Sequence, residues 1–166
     1  PLLGKASGCR TICKTPIMYR LALLSDQQVR AWELENMEPF DTASVGSSAL
    51  YAALKRNLEA EIATCLGKTY ASLLKDFEKI FDTLDLTTLM CEAVAADFPL
   101  PQLAFALQQH MAPRVLQACG HTSLPLAICT SILAGCKYSV PMTRAYLKKL
   151  MSHLHNHEQH SQALTL

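Results

Sequence analysis

Leu73-Leu-Lys-Asp-Phe-Glu-Lys-Ile-Phe-Asp-Thr-Leu-Asp85 is the stretch of this 166-residue sequence that decides the predicted fold. Residues 68–75 are predicted to form a strand, because they contain a short apolar run that ends at a charged residue. Asp76 then marks a strand-to-helix corner, and Asp85 is a suitable N-cap for a helix over about residues 86–96. The stretch therefore predicts a chain that combines strands with helices.

The same corner carries side chains suited to a chemical task. The carboxylate of Asp76 can bind Mg²⁺, an ion that prefers oxygen ligands in near-octahedral geometry. The ring of Phe81, five residues later, can pack beneath the sugar of a nucleotide. This spacing indicates a nucleotidyl-transfer site, and the alternative interpretation is that Asp76 only caps a helix.

Hydrophobic periodicity and turn residues predict the remaining elements. Leu50, Leu54, Leu58 and Ile62 recur at four-residue steps and give the most regular helix of the chain, which starts after Gly46-Ser47-Ser48 and closes at Gly67. Further helices are expected over about residues 26–37, 101–111 and 139–155, an extended segment or hairpin over residues 10–24, and a hairpin around residues 120–123. This order predicts a helix-rich α+β fold with a small antiparallel sheet.

Composition bounds the class of protein. No run of about 18 apolar residues is present, which argues against a membrane partner, so we expect an intracellular protein of the cytoplasm or nucleus. Seven cysteines are scattered along the chain, and four of them lie in apolar runs, which predicts reduced thiols in the core. These four are Cys65, Cys91, Cys119 and Cys129.

Charge is segregated along the chain although the net charge is only +1. Residues 1–30 carry five basic side chains against one acidic, residues 31–100 carry five against twelve, and residues 101–166 carry five against one. Basic ends that bind phosphate and an acidic centre that binds metal ions are typical of a polyanion-binding protein. The alternative is ordinary variation in surface charge.

Two motifs resemble the palm motifs of retroelement-type reverse transcriptases, which are RNA-directed DNA polymerases. Asp76-Phe-Glu-Lys-Ile-Phe81-Asp82 resembles the first palm motif, Asp-x-x-Lys-x-(Phe/Tyr)-Asp. The resemblance, which covers roughly residues 9–152, implies that Asp76 is catalytic and ligates Mg²⁺. It also implies that Phe81 contacts the nucleotide and rejects a 2′-hydroxyl group.

Ala134-Gly135-Cys-Lys-Tyr-Ser139-Val-Pro141 resembles the second palm motif, commonly Gln-Gly-x-x-x-Ser-Pro. Gly135 and Ser139 are thereby implied to bind nucleotide, since a residue without Cβ permits close backbone approach and a helix N-terminus favours anions. The chain departs from the motif at Ala134, where glutamine is typical, and at Val140, which separates serine from proline.

Arg10-Thr-Ile resembles the Arg-Pro-Ile of the fingers, which implies that Arg10 contacts the triphosphate and the template. The partners implied by the resemblance are an RNA template, a DNA primer and deoxynucleoside triphosphates. The resemblance divides the chain into a fingers-like segment (residues 1–45), a partial palm (46–152) and a polar His-rich tail (153–166), which we predict to be disordered.

The third palm motif, an aromatic-x-Asp-Asp sequence, is not among these residues. Because one carboxylate cannot hold two Mg²⁺ ions, we expect a reverse-transcriptase fragment that is inactive alone. The alternative is a non-catalytic helical module that binds nucleic acid or protein, and a third possibility is an interaction module whose motif matches are coincidental. The tail histidines, His153, His155, His157 and His160, have the ligand chemistry for zinc or nickel, although such tails are more often only polar.

Overall fold

The computed structural model describes residues 2–5, 8–11, 13–38, 41, 46, 48–71, 77 and 79–163. For residues 2–5, 8–11 and 156–163 it describes the backbone only. Within these residues the elements follow the order β1 (Leu2–Lys5), β2 (Gly8–Thr11), α1 (Ile17–Ser25), α2 (Gln28–Glu35), α3 (Ala49–Cys65), α4 (Ile80–Thr83), α5 (Leu86–Ala95), α6 (Leu100–Met111), β3 (Gln117–Ala118), β4 (His121–Thr122) and α7 (Ser139–Ala163). Both strand pairs are antiparallel. The predicted helix-rich α+β class is confirmed.

The chain forms two compact units, one made of Pro1–Trp32 and Lys79–Leu166 and the other of Glu33–Glu78. The boundaries of these units differ from those of the three predicted segments. In the first unit, α5 packs against α6 and α7. Leu89, Ala106 and Met142 are completely buried at this packing, and the hydrophobic core of the first unit extends from these three helices to Leu23 of α1 and Trp32 of α2.

Helix α1 is an element that the sequence pattern assigns wrongly. Residues 17–25 are helical rather than extended, and Pro16 occupies the N-cap, where its missing N–H costs nothing. The alternation of apolar residues in this segment also places Tyr19 and Leu23 one helical turn apart. Both side chains are buried, so tertiary packing selects the helix.

Other boundaries agree with the local signals. Helix α3 begins after Ser48, whose hydroxyl accepts a hydrogen bond from the N–H of Tyr51. Helix α5 begins after Asp85, whose carboxylate accepts from the N–H of Thr88. The expected hairpin is present as β3 and β4.

Three further expectations differ from the structure or fall outside it. Helix α7 extends to Ala163, past the expected end at His155 and through much of the expected disordered tail, because no glycine or proline interrupts residues 142–163. The described part of the predicted strand, residues 68–71, has no regular structure, and residues 72–76 lie outside the described residues.

The prediction of core thiols is wrong for all four cysteines that it named. Cys65, Cys91, Cys119 and Cys129 are exposed free thiols, while Cys136 is the buried one among the cysteines whose side chains are described. Only some residues of the apolar runs that contain these four cysteines face the core, and the cysteines themselves do not. Among the described residues, no helix has both the length and the apolar character needed to cross a membrane.

Candidate functional site

The end of the first palm-like motif meets the segment that precedes the second motif within the first unit. The N–H of Ile132 donates to the carbonyl oxygen of Phe81 at 2.7 Å, and the N–H of Ser131 donates to that of Leu84 at 2.9 Å. Asp85 and Thr130 continue this contact as an antiparallel bridge. The end of the first motif is therefore paired with the chain that leads into the second.

Gly135 lies in an exposed turn just beyond this pairing. Its φ angle is +89°, in the region that favours glycine over residues with a side chain. No heavy atom lies within 4 Å of the position that a Cβ would take, so the backbone conformation, rather than lack of space, requires glycine. The turn thus presents bare backbone to open space.

The residues after Gly135 are fixed against α1. The Tyr19 hydroxyl and the Cys136 sulfur form a buried hydrogen bond of 3.2 Å, and burial raises the pKa of Tyr19. The Lys137 ammonium donates to the carbonyl oxygen of Leu23 at 2.7 Å, close to the C-terminus of α1. These contacts fix the chain after Gly135, and the strand-like pairing of residues 130–132 fixes the chain before it.

Ser139 is buried at the N-terminus of α7, and only 1% of its surface is exposed. Its hydroxyl donates to the carbonyl oxygen of Leu133 at 2.6 Å, which closes the turn across Gly135. The serine hydroxyl therefore stabilises the turn.

Phe81 lies in the short helix α4 and packs against the core while staying partly exposed. Lys79, which precedes this helix, has a left-handed backbone with φ of 50°. Asp82, on the same helix, is exposed. Phe81 is thus partly buried against the core and partly exposed.

A polar cluster centred on the buried His110, which no sequence motif indicated, is hydrogen-bonded to the segment that precedes the turn. His110 is completely buried on α6, and its Nδ1 accepts a hydrogen bond from the N–H of Leu133 at 2.8 Å. Arg114 donates to the Ser131 hydroxyl at 2.8 Å and to the carbonyl oxygens of His110 and Ser131. This His110 cluster, consisting of His110, Arg114 and Ser131, ties α6 to the strand-like segment before Gly135.

The cluster keeps its histidine neutral. Burial, followed by the positive charge of Arg114, lowers the pKa of His110 to about 4. Because Nδ1 accepts the Leu133 N–H, the proton of the neutral ring lies on Nε2. That nitrogen is buried without a hydrogen-bond partner, as is Nε of Arg114, among the described residues.

A sequence signal for His110 does exist. Leu103, Ala106, Leu107 and His110 fall on one face of α6, and all four are buried. A histidine that ends such an apolar face is expected to need a buried partner. Its partner, Leu133, is 23 residues away, a separation that local patterns do not encode.

Two predicted site residues are not placed by the structure. Asp76 lies outside the described residues, and Arg10 is described only through the backbone of β2, where it pairs with Leu3. The described carboxylates near Phe81 do not fit a Mg²⁺ site, since Asp85 caps α5 and Asp82 stands alone. In the part of the chain with described side chains, no group of three or more histidine, cysteine, aspartate or glutamate residues is arranged to hold a metal ion.

No protein-family model matches the chain, and no curated protein or solved structure matches it significantly.

Proposed function

We propose that this chain is a fingers and partial palm portion of a retroelement-type reverse transcriptase. The observation that supports the proposal is the pairing of residues 81–85 with residues 130–132, which joins the end of the first palm-like motif to the segment that leads into the second. In a nucleotidyl-transfer site both motifs serve one nucleotide, so they have to be neighbours. The exposed Gly135 turn and the half-exposed ring of Phe81 flank this pairing.

The proposed roles differ in how directly each residue acts. Phe81 contacts the sugar, and the backbone of Gly135 contacts the nucleotide. Ser139 acts as a positioning residue, because its buried hydroxyl holds the turn. Asp76 is the proposed metal-binding carboxylate, and Arg10 the proposed contact to phosphate.

The chain is proposed to be inactive in DNA synthesis by itself. Phosphoryl transfer with two metal ions takes several carboxylates, and the sequence contains no adjacent pair of aspartates. Primer extension with Mg²⁺, an RNA template and all four deoxynucleotides is expected to give no product. An extended primer made by the purified chain would overturn this part of the proposal.

Binding of an RNA–DNA hybrid tests the proposal directly. A fluorescently labelled primer–template is titrated with the chain at several salt concentrations, and anisotropy reports the affinity. Arg10→Ala is expected to weaken binding and to reduce the slope of log K against log salt by about 1, the effect of losing one phosphate contact. Arg30→Ala, which removes an exposed arginine of α2 outside the motifs, serves as the matched control and is expected to leave the affinity unchanged.

Two outcomes contradict the polymerase proposal. One is the absence of hybrid binding at low salt, and the other is an equal effect of the two arginine substitutions, which would indicate a general charge effect.

A second candidate function, a non-catalytic helical module that binds protein or nucleic acid, is favoured by the exposed apolar residues of α3, such as Leu50 and Leu54. The two functions differ in the role of the Phe81 ring. A nucleotide-binding palm loses affinity for a primer–template with bound deoxynucleotide when Phe81 is changed to Ala, whereas a non-catalytic module does not distinguish the variant.

A further inference from the structure

Helix α3 presents a continuous apolar face to solvent. We define the leucine face as the seven residues Leu50, Tyr51, Leu54, Leu58, Ile62, Cys65 and Leu66. The six large side chains among them are between 48% and 81% exposed, and Cys65 is also exposed. A helix of 17 residues with no buried residue is marginal as an isolated element, so a partner on this face would stabilise it.

The opposite side of α3 consists mainly of alanines. Ala52, Ala60 and Ala63 are partly buried, and they lie about 120–160° around the helix from Leu58, given 100° per residue. In the part of the chain that the structure describes, α3 therefore gains its limited burial through small residues, while the large apolar ones stay uncovered.

The leucine face is symmetric about its central residue. Leu50 and Leu66 are equally far from Leu58, as are Tyr51 and Cys65, and Leu54 and Ile62. When two antiparallel helices are related by a two-fold axis, residues equidistant from the axis lie at the same height across the interface. An axis at Leu58 therefore matches each apolar residue of the face with another apolar residue.

The charges beside the leucine face fit the same arrangement. Lys55 and Glu59 lie on one edge of the face, and within the chain they form an ion pair of 3.9 Å. A two-fold axis at Leu58 brings Lys55 of one copy to within about 3 Å, measured along the helix axis, of the height of Glu59 of the other. The two Glu59 side chains also lie about 3 Å apart in height on this edge, and each is flanked by Lys55 of the other copy, so two attractive pairings outweigh one repulsive pairing. On the opposite edge Glu61 approaches the uncharged Asn57.

We propose that the leucine face binds a second copy of this chain, with the two α3 helices antiparallel around a two-fold axis at Leu58. The symmetry of the apolar residues, their exposure and the two Lys55–Glu59 pairings support this dimer independently of the polymerase proposal. Helix α3 is about 25 Å long, so the interface is small and the dimer is weak, with dissociation in the micromolar range.

Sedimentation velocity of the 166-residue chain over a range of concentrations tests the proposal. A monomer–dimer equilibrium is expected, and Leu58→Glu, which brings two carboxylates together at the axis, is expected to raise the dissociation constant by about tenfold or more. The matched control is Leu21→Glu on α1, because Leu21 is 51% exposed and Leu58 is 48% exposed. A chain that stays monomeric at every concentration overturns the proposal, and so does an equal loss in both variants, which would indicate non-specific association.

Charge reversal tests the antiparallel arrangement. Lys55→Glu and Glu59→Lys are each expected to weaken the dimer, and the double variant is expected to restore it, since the opposite charges again face each other. Failure of the double variant to recover dimerisation contradicts this arrangement.

A disulfide locates the axis. With helix axes 8–10 Å apart, the two Cα atoms of residue 58 are about 4–5 Å apart, within the range that a disulfide spans. In a Cys65→Ala background, Leu58→Cys is expected to form a covalent dimer whose linked tryptic peptides each carry residue 58. Arg56→Cys, on the opposite side of α3, is expected not to form a dimer linked through residue 56. Because other exposed cysteines remain, the linked peptides decide, and equal linkage through residues 56 and 58 would overturn the assignment of the leucine face.

Discussion

At the scale of single residues, the most consequential side chain is one that no motif indicated. His110 is neutral, completely buried and bonded to the backbone just before the Gly135 turn. Its position makes the turn dependent on a histidine that must stay uncharged. The proposed nucleotide contacts therefore rest on the protonation state of a residue that does not itself contact nucleotide.

His110 is expected to make stability depend on pH. The pKa of His110 is about 4 in the folded chain, against an ordinary value near 6.5 when unfolded, so protons bind the unfolded state preferentially. The contribution of His110 is complete above about pH 6.5 and falls as pH drops toward 4, by roughly 3 kcal/mol in total. Urea unfolding at several pH values measures this, and the decline between pH 6.5 and 4 is expected to be smaller in His110→Gln.

The matched control for this prediction is His121→Gln, since His121 is exposed in β4. That variant is expected to keep the full decline. If His110→Gln retained the same decline as the unsubstituted chain, other groups would account for the pH dependence.

Ser139 provides a second prediction at this scale. Removing the buried hydroxyl in Ser139→Ala is expected to lower the free energy of unfolding by about 1 kcal/mol, because the hydrogen bond to Leu133 is lost. Ser25→Ala removes a hydroxyl that bonds to Ala22 at an exposed site and is expected to change stability by less than about 0.5 kcal/mol. Similar effects in both variants would show that Ser139 does not hold the turn.

At the scale of elements, the β3–β4 hairpin depends on an unusual two-residue turn. Cys119 and Gly120 have φ angles of 48° and 79°, and two successive positive values are typical of the type I′ turn that joins tight hairpins. Asparagine suits the first of these positions better than cysteine. One substitution in this turn should therefore increase the stability of the chain, and another should decrease it.

Substitutions in this turn are expected to act in opposite directions. Gly120→Ala should destabilise the chain by about 1 kcal/mol because alanine resists a positive φ, while Cys119→Asn should stabilise it by about 0.5 kcal/mol. Gly120→Asn should retain more stability than Gly120→Ala, since asparagine tolerates this conformation. Urea unfolding orders the variants, and equal stability of the alanine and asparagine variants would contradict the turn assignment.

The sequence predicts the elements whose signals are local. Ser48 and Asp85 mark helix starts because an N-cap acts within three residues, and α6 follows from the period of its apolar residues. Helix α1 is missed because its nine residues can satisfy both a two-residue and a four-residue period, and only the packing of Tyr19 and Leu23 decides between them. The His110 cluster is missed for a similar reason, since its partners come from distant parts of the chain.

The candidate site likewise combines features that local sequence patterns predict with features that depend on contacts between distant residues. Sequence places Phe81 and Gly135 in related motifs, but the contact between their segments depends on pairings such as that of Leu84 with Ser131, which are 47 positions apart. No local pattern contains that pairing. The metal-binding role of Asp76 and the phosphate contact of Arg10 remain predictions from the motifs.

At the scale of the whole molecule, the two compact units differ in how many apolar side chains their helices bury. Leu89 and Ala106 represent a first unit whose helices share a fully buried core, whereas α3 in the second unit has no buried residue. Local opening needs less free energy where fewer apolar contacts are lost. The two units are therefore expected to open with different free energies.

Hydrogen exchange measures this difference. In the Leu58→Glu variant at low concentration, where self-association of α3 is suppressed, amides of α3 are expected to exchange at least about two orders of magnitude faster than those of α6. The reason is that α3 must rely on its own hydrogen bonds and cap, while opening α6 exposes the core around Leu103 and Ala106. Peptides that cover residues 50–62 and 101–111 allow the comparison by mass spectrometry. Equal protection of the two helices in this variant would mean that α3 is stabilised by packing within its own chain. Protection of α3 that appears only in the unsubstituted chain, and that grows with protein concentration, would show that a second copy stabilises it.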